Sequence, residues 1–371
     1  MDSIPFAQSR LATLGVELEF QILDRETLAL VPGARQILAA APAEFASRLA
    51  PEFIQSMLEV LTGVCSDVDE VAEDLRHTIH MLADVAGDQG MVLHAASLHP
   101  FAEPLDQVLT PDPRYERIMD ELQFVGRQFI TQGLHVHVGM DDREMAVRVC
   151  DVLQGYLPVF LALTGSSPWF RGLDTGLASY RTKLFEALPL AGLSGYFGSW
   201  QAYEDELHML MEQGIIHQVR DLWSDVRINP FFGTVEVRSC DLPARFAEIV
   251  GMAGLIQAFA VAIVEGVVAP ARINQRILGY NKWQAARYGL EGRFLDPLGL
   301  FDYRVLTLHQ AAEQLFSLLG PWMDRFGSRQ WCHQLEGILE RGTSARQQRE
   351  LMQQENSFAK MIQSMRAQFW E

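Results

Sequence analysis

Hydrophobic and polar positions change period several times along the chain. From Thr13 to Leu23 (TLGVELEFQIL) they alternate, with Val16, Leu18 and Phe20 on one face and Glu17 and Glu19 on the other, the two-residue period of a strand. Ser56 to Thr62 (SMLEVLT) predicts a second strand. At Ser66 the period becomes 3.6: Val68, Val71, Leu75, Ile79, Leu82 and Val85 form one stripe, and Ser66 with Asp69 resembles a capping box that opens the helix. Met91 to Leu98 predicts a strand that stops at His99-Pro100, and Pro113 to Ile130 a helix with proline in its first turn. Gly133 to Met140 (GLHVHVGM) predicts a further strand, and Arg143 to Leu163 an apolar helix kinked at Pro158. Gly165 to Gly176 reads as a loop, Trp200 to Gln213 as a helix and Thr234 to Cys240 (TVEVRSC) as a strand. Beyond Asp241, helices are expected over about 247–268, 305–319 and 344–370. Strands interleaved with helices, followed by a helical third, predict an α+β fold: a mainly antiparallel sheet with helices on one side.

Three of these strands carry polar residues in the same way. Glu17 and Glu19, His135 and His137, and Glu236 and Arg238 are i,i+2 pairs, so each pair projects from a single strand face, and their apolar neighbours take the other. Glu59 in SMLEVLT adds a fourth contribution. A solvated sheet face would carry polar residues too. Such a face usually holds Thr, Lys, Ser and Gln, whereas these pairs are confined to metal-ligating and anion-binding types. Lysine occurs only at 183, 282 and 360. Carboxylates crowded on one face repel unless a cation sits among them. An oxygen-rich set with one imidazole suits Mg²⁺ or Mn²⁺ better than zinc. Arg227 and Arg238, either side of a turn at Gly233, offer planar forks of donors for phosphate or carboxylate. Alternatively they pair at the surface with Asp225 or Asp241.

The charge balance sharpens this picture. With 30 Lys and Arg against 47 Asp and Glu, the formal net charge is −17, which repels nucleic acid. Anionic small molecules would then need arginines or bound divalent cations to reverse the local field. Four scattered cysteines form no CxxC pair, so a reduced compartment is expected. The start MDSIPFAQSR shows no signal-peptide pattern, and the uncharged run Ile249 to Val264 is shorter than a bilayer requires. A soluble cytoplasmic protein with no membrane partner is the expectation. No Walker-type loop, strand-linked GxGxxG or GxSxG elbow is present, and His94 and His99 are expected to pack or end a strand.

Taken in order, TLGVELEF, SMLEVLTGVC, HPF, LHVHVG, DTGLASYR, WSDVRINPFFGTVEVRSCD, MAGLIQA and NKWQAARYGLEG resemble the bacterial carboxylate-amine ligases of the glutamate–cysteine ligase 2 type, over about residues 13–293. The resemblance implies a glutamine-synthetase-like fold, whose curved antiparallel sheet holds nucleotide and metals. It implies one catalytic domain over 1–371, sheet-forming over about 13–240 and helical over about 241–371, and a homodimer. It further implies ATP and Mg²⁺ or Mn²⁺ as cofactors, and an amino-acid carboxylate and an amine as small-molecule substrates. Glu17, Glu19, Glu59, His135 and Glu236 would form the metal site. Arg227, Arg238 and Glu236 would serve catalysis, and Arg181, His137 and Arg238 would bind substrate. Asn281 and Arg287 are shared motif residues without an assigned role. Gln55 stands where related ligases often have Glu, which would remove one possible charge from the metal site. The implied reaction is amide formation through an acyl phosphate. Two rivals carry distinct signatures: a metal-dependent hydrolase on His135 and His137 would turn over without ATP, and a non-catalytic nucleotide or amino-acid binder would release no ADP.

Overall fold

The computed structural model describes residues 3–371. Its central sheet consists of β1 (Leu14–Asp24), β2 (Leu49–Pro51), β3 (Met57–Leu61), β4 (Met91–His94), β5 (Gly133–Gly139), β6 (Val226–Asn229) and β7 (Thr234–Asp241). The order is β6-β7-β5-β1-β3-β2, every pairing is antiparallel, and β4 joins the C-terminal half of β1 beyond the end of β5. The alternation along the strands sets which face is covered. Val16, Leu18, Phe20, Leu58, Val60, Val136, Val235 and Val237 are all buried in one continuous apolar core with residues of the helices Val68–Asp88, Arg143–Thr164 and Phe246–Val264. Glu17, Glu19, Glu59, Glu236 and Arg238 are thereby left on the opposite face.

Two of those helices are long and apolar enough to cross a membrane. However, 94% of the apolar window in Arg143–Thr164 and 89% of that in Phe246–Val264 lie inside the protein. Core burial accounts for their composition. The second is longer than the uncharged run alone suggests, because it starts at Phe246.

Several boundaries depart from the periodicity. The Val68–Asp88 helix is capped by Asp67, which accepts the N–H groups of Asp69 and Glu70, while Glu70 accepts from Ser66. The cap is one residue later than the expected Ser66 because the aspartate reaches both free amides. The helix Pro113–Arg127 is interrupted at Gln123, which has φ +50°. The Arg143–Thr164 helix continues through Pro158. The C-terminal segment divides at Asn356, in the left-handed region, into Ser344–Glu355 and Phe358–Ala367. Gln275–Tyr288 is a helix that apolar spacing did not indicate, since its buried positions include Asn281 and Lys282 beside Leu278, Ala285 and Ala286.

One irregularity in the sheet matters for the site. Val237 pairs with Val136, but Cys240 pairs with Leu134, so β7 carries an extra residue between them. This bulge lets Val237 and Cys240 both face the core while Arg238 stays on the polar face. It also turns Asp241 inward, where it accepts bonds from Ser166 N, Ser167 Oγ and Ser179 Oγ.

Candidate active site

Strand register gathers the polar pairs. Arg227 on β6 opposes Glu236 on β7, which opposes His137 on β5; His135 opposes Glu17 on β1, and Glu19 opposes Glu59 on β3. Directly opposed Cβ atoms lie about 4.5–5.5 Å apart, so five strands deliver one connected polar surface. Three sets on it bring ligand atoms within 4.8 Å of one another: Glu17 with Glu59 and His135, Glu17 with His137 and Glu236, and Glu19 with Glu52 and Glu59.

A cavity of about 330 Å³ lies over this surface. Glu17, Glu19, Glu52, Glu59 and His135 form its acidic part, and Arg181, Arg227 and Arg238 line it as well. Phe53, Tyr115, Phe129 and Phe185 add apolar wall.

The carboxylates are not electrostatically at rest. Burial, reinforced by Glu52, raises Glu19 to about 8 despite Arg181 and Arg238 nearby. Burial and the charges of Glu52, Glu17 and Glu19 push Glu59 well above the usual range, and burial chiefly raises Glu52. Glu17 differs. Burial would raise it, but hydrogen bonds from His135 Nδ1 (3.1 Å) and His137 Nε2 (3.2 Å) outweigh that and hold it well below the usual range. His135 is pushed down to about 4 by burial and by Arg238, so at neutral pH it is uncharged and able to ligate a metal. Crowded carboxyl groups beside a neutral imidazole form an oxygen-rich donor set that a hard divalent cation would satisfy. The residues present therefore fit Mg²⁺ or Mn²⁺.

The cationic wall is built around Glu236. Arg227 donates to its Oε2 from Nε (3.1 Å) and Nη2 (2.8 Å), and Arg238 Nη1 donates to Oε1. Burial would raise Glu236, but these two guanidiniums hold it far below the usual carboxylate range. One carboxylate between two arginines leaves a net positive charge facing the cavity. Arg181, almost fully buried, donates from Nη2 to Arg238 O (3.1 Å). An anion can be clamped here beside the carboxylates that would hold its counter-ions.

Comparison with known proteins decides the lineage. The profile of Glutamate-cysteine ligase family 2 (GCS2) matches residues 13–365. The chain belongs to this family. A protein named "Putative glutamate--cysteine ligase 2" from Gloeobacter violaceus is 35% identical over 370 residues, covering 98% of this chain and 99% of its own. A protein of the same name from Thermobifida fusca is 36% identical over 377 residues, covering 99% and 93%. In fold, the chain is similar to a glutamate–cysteine ligase from Francisella tularensis solved in complex with AMP, with TM-score 0.71 at 13% identity over 98% of this chain and 90% of that one. It is also similar to a bifunctional glutathione synthetase from Pasteurella multocida, with TM-score 0.68 at 14% identity over 96% of this chain and 52% of that one. The architecture is thus α+β of the glutamine-synthetase-like kind. Membership in Glutamate-cysteine ligase family 2 places the chain among ligases, with relatives named for joining glutamate and cysteine.

Against the motif residues of this glutamate–cysteine ligase family 2 member, the structure sorts the expectations. Glu17, Glu19, Glu59, His135, Arg181, Arg227 and Arg238 share the cavity lining. Glu236 and His137 lie behind it: Glu236 is clasped by the two arginines, and His137 bonds Thr234 Oγ1 (2.9 Å) and Glu17. His137, which the resemblance implies as a substrate contact, shares a donor trio with Glu17 and Glu236. Arg227 and Arg238 pair with Glu236 rather than with Asp225 or Asp241. Gln55 is not part of the cavity lining; its amide donates to Leu109 O (3.1 Å). Glu52, which the sequence reading missed, adds a carboxylate to the cluster. Arg114 and Tyr115 were missed too, and both line the cavity from the first turn of the Pro113–Arg127 helix.

Proposed function

We propose that the cavity binds ATP with Mg²⁺ or Mn²⁺, converts a small carboxylic acid to its acyl phosphate and passes the acyl group to an amine. Glutamate and cysteine are the acid and amine that the relatives' names supply. The observation that carries this reading is one cavity in which Glu17, Glu19, Glu52 and Glu59 stand beside Arg181, Arg227 and Arg238.

Glu17, Glu19, Glu52, Glu59 and His135 would hold the ions, and Glu236 with Glu17 and His137 offers a further donor set. When bound, such ions neutralise phosphate charge and align donor and acceptor oxygens. Arg227 and Arg238 face the phosphoryl group as a carboxylate oxygen of the acid attacks the γ-phosphorus and its bond to the ADP oxygen breaks. Arg181 orients the acid's other carboxylate. The amine then attacks the acyl carbon, loses a proton and expels inorganic phosphate. No enzyme nucleophile is required. Glu236 keeps two arginines in place before charge develops, which avoids reorganisation during reaction.

The chain acts as one catalytic unit over 1–371, in agreement with a core that runs from Leu14 to Phe369. Its free, buried cysteines suit a cytoplasmic location, and the family resemblance implies a homodimer. Screening amino-acid pairs for Mg²⁺-dependent ADP release, with product masses read in parallel, tests the reading. One pair should yield ADP and its amide together, and Glu236→Gln should reduce that rate at least ~100-fold, the scale of losing a transition-state stabiliser. Turnover without ATP, or an unchanged rate in folded Glu236→Gln, would contradict it.

A further inference from the structure

The helix Gln275–Tyr288 contributes no residue to the cavity lining, yet it carries motif residues and one of only three lysines. Lys282 on this helix is buried, and its ammonium lies 2.6 Å from Asp225 Oδ2 and 3.0 Å from Glu186 Oε1. Both acids belong to segments that carry cavity arginines. The Asp225 carbonyl accepts the Arg238 N–H (2.8 Å), and Asp225 stands two residues before Arg227. Glu186 caps the short helix Arg181–Phe185, which Arg181 opens. The same long helix also grips the approach to Arg181: Ala286 O accepts from Ala178 N (2.8 Å) and Ser179 N (3.0 Å), and Arg287 donates to Gly176 O.

We propose that Lys282 is a positioning residue for phosphate binding: with Asp225 and Glu186 it joins the Arg181-bearing and Arg227/Arg238-bearing segments into one anion-binding wall. An amphipathic surface helix needs no buried ammonium. Burying one between two carboxylates costs solvation that only well-made bonds offset, and a fixed triad restricts its partners to one geometry. Lys282 offers three donors and spends two on side chains that reach the wall from different stretches of sequence. Guanidiniums that must meet phosphate oxygens as rigid forks gain from such support. The carboxylate cluster is anchored on β1, β3 and the residue after β2 and, among the described residues, has no bond to the triad, so the triad acts on one half of the site. Within the motif, Arg287 is thereby a clamp on the Arg181 loop. Asn281 pairs with both backbone groups of Leu295 (2.8 and 3.0 Å), which fixes the helix in place.

This inference rests on the nucleotide-binding reading of the cavity. Its test is calorimetric titration of MgATP, and separately of Mn²⁺ alone, into the wild-type protein, Lys282→Gln, Lys282→Arg and Asp225→Asn, each checked for native near-UV circular dichroism at the titration temperature. Lys282→Gln should weaken MgATP about 10- to 100-fold, the scale of removing an orienting partner. Mn²⁺ affinity should stay within about twofold, because the carboxylates are untouched, and Lys282→Arg should recover most of the loss. Should Lys282→Gln fail to fold, Asp225→Asn keeps the ammonium paired with Glu186 and carries the same expectation. Wild-type MgATP affinity in a folded Lys282→Gln or Asp225→Asn, or an equal loss of Mn²⁺ and MgATP affinity, would overturn the inference while leaving the ligase reading intact. Absence of MgATP binding to the wild-type protein would remove both.

Discussion

Glu19 sits on an ordinary strand position, yet burial lifts it to about 8, and its neighbours Glu52 and Glu59 are raised as well. At pH 7 a metal-free site therefore keeps Glu19 protonated, where a divalent ion would require its anion. Ion binding must displace that proton. Mn²⁺ titrated at pH 7 in buffers of different ionisation enthalpy should release about one proton or more per ion, and affinity should rise as pH climbs towards 8. A proton count of zero would show that the ion does not enter this cluster. At this scale the sequence exposed much of the site. Glu17, Glu19, His135, Glu236 and Arg238 were legible because strand alternation fixes the face of each i,i+2 pair. Glu52 was not. It follows the three-residue strand β2 in a stretch without period, and only the pairing of Ala50 with Glu59 brings it to the cluster.

At the scale of elements, the β6–β7 hairpin carries both arginines and their shared glutamate, so its turn sets their spacing. Gly233 in that turn has φ +63°, and a Cβ there would stand 1.7 Å from Ala7 O. Left-handed backbone and lack of space both demand glycine. Gly233→Ala should destabilise the protein by about 2 kcal/mol or more, measured by denaturant unfolding, and an unchanged midpoint would mean that the N-terminal segment does not pack on the turn as described. The bulge in β7 is another matter. A regular strand would put Ser239 rather than Cys240 on the core face with Val235 and Val237, and two side chains so alike in size give the sequence little to announce the extra residue. The Gln275–Tyr288 helix escaped for a related reason: its buried face is half polar, with Asn281 and Lys282 bonded to groups far away in sequence. Periodicity reports apolar burial, and it is silent about polar burial.

For the whole molecule, the acidic cluster links stability to pH. Glu19, Glu52 and Glu59 have folded-state values above those of the unfolded chain. The stability they contribute is fully present below about 4.5 and is lost as pH rises through the folded values, about 8 for Glu19. His137, also raised, loses its contribution in the same direction. Metal-free protein in EDTA should therefore unfold at a lower temperature at pH 8.5 than at pH 6.5, and Mg²⁺ or Mn²⁺ should remove most of that difference. A metal-independent profile would separate the cluster from ion binding. The net charge of −17 adds general repulsion at high pH, but screening by monovalent salt relieves that term at equal ionic strength, which divalent ions exceed only by occupying a site.

All three scales converge on activation of a carboxylate by phosphate transfer, and oxygen isotopes follow that step directly. With glutamate labelled by ¹⁸O in its side-chain carboxylate, ATP and the amine partner, each turnover should place one labelled oxygen in the inorganic phosphate released, because the oxygen that attacks the γ-phosphorus leaves with it. Phosphate free of label, formed at the same rate as the amide, would contradict an acyl phosphate and with it the chemistry assigned to this cavity.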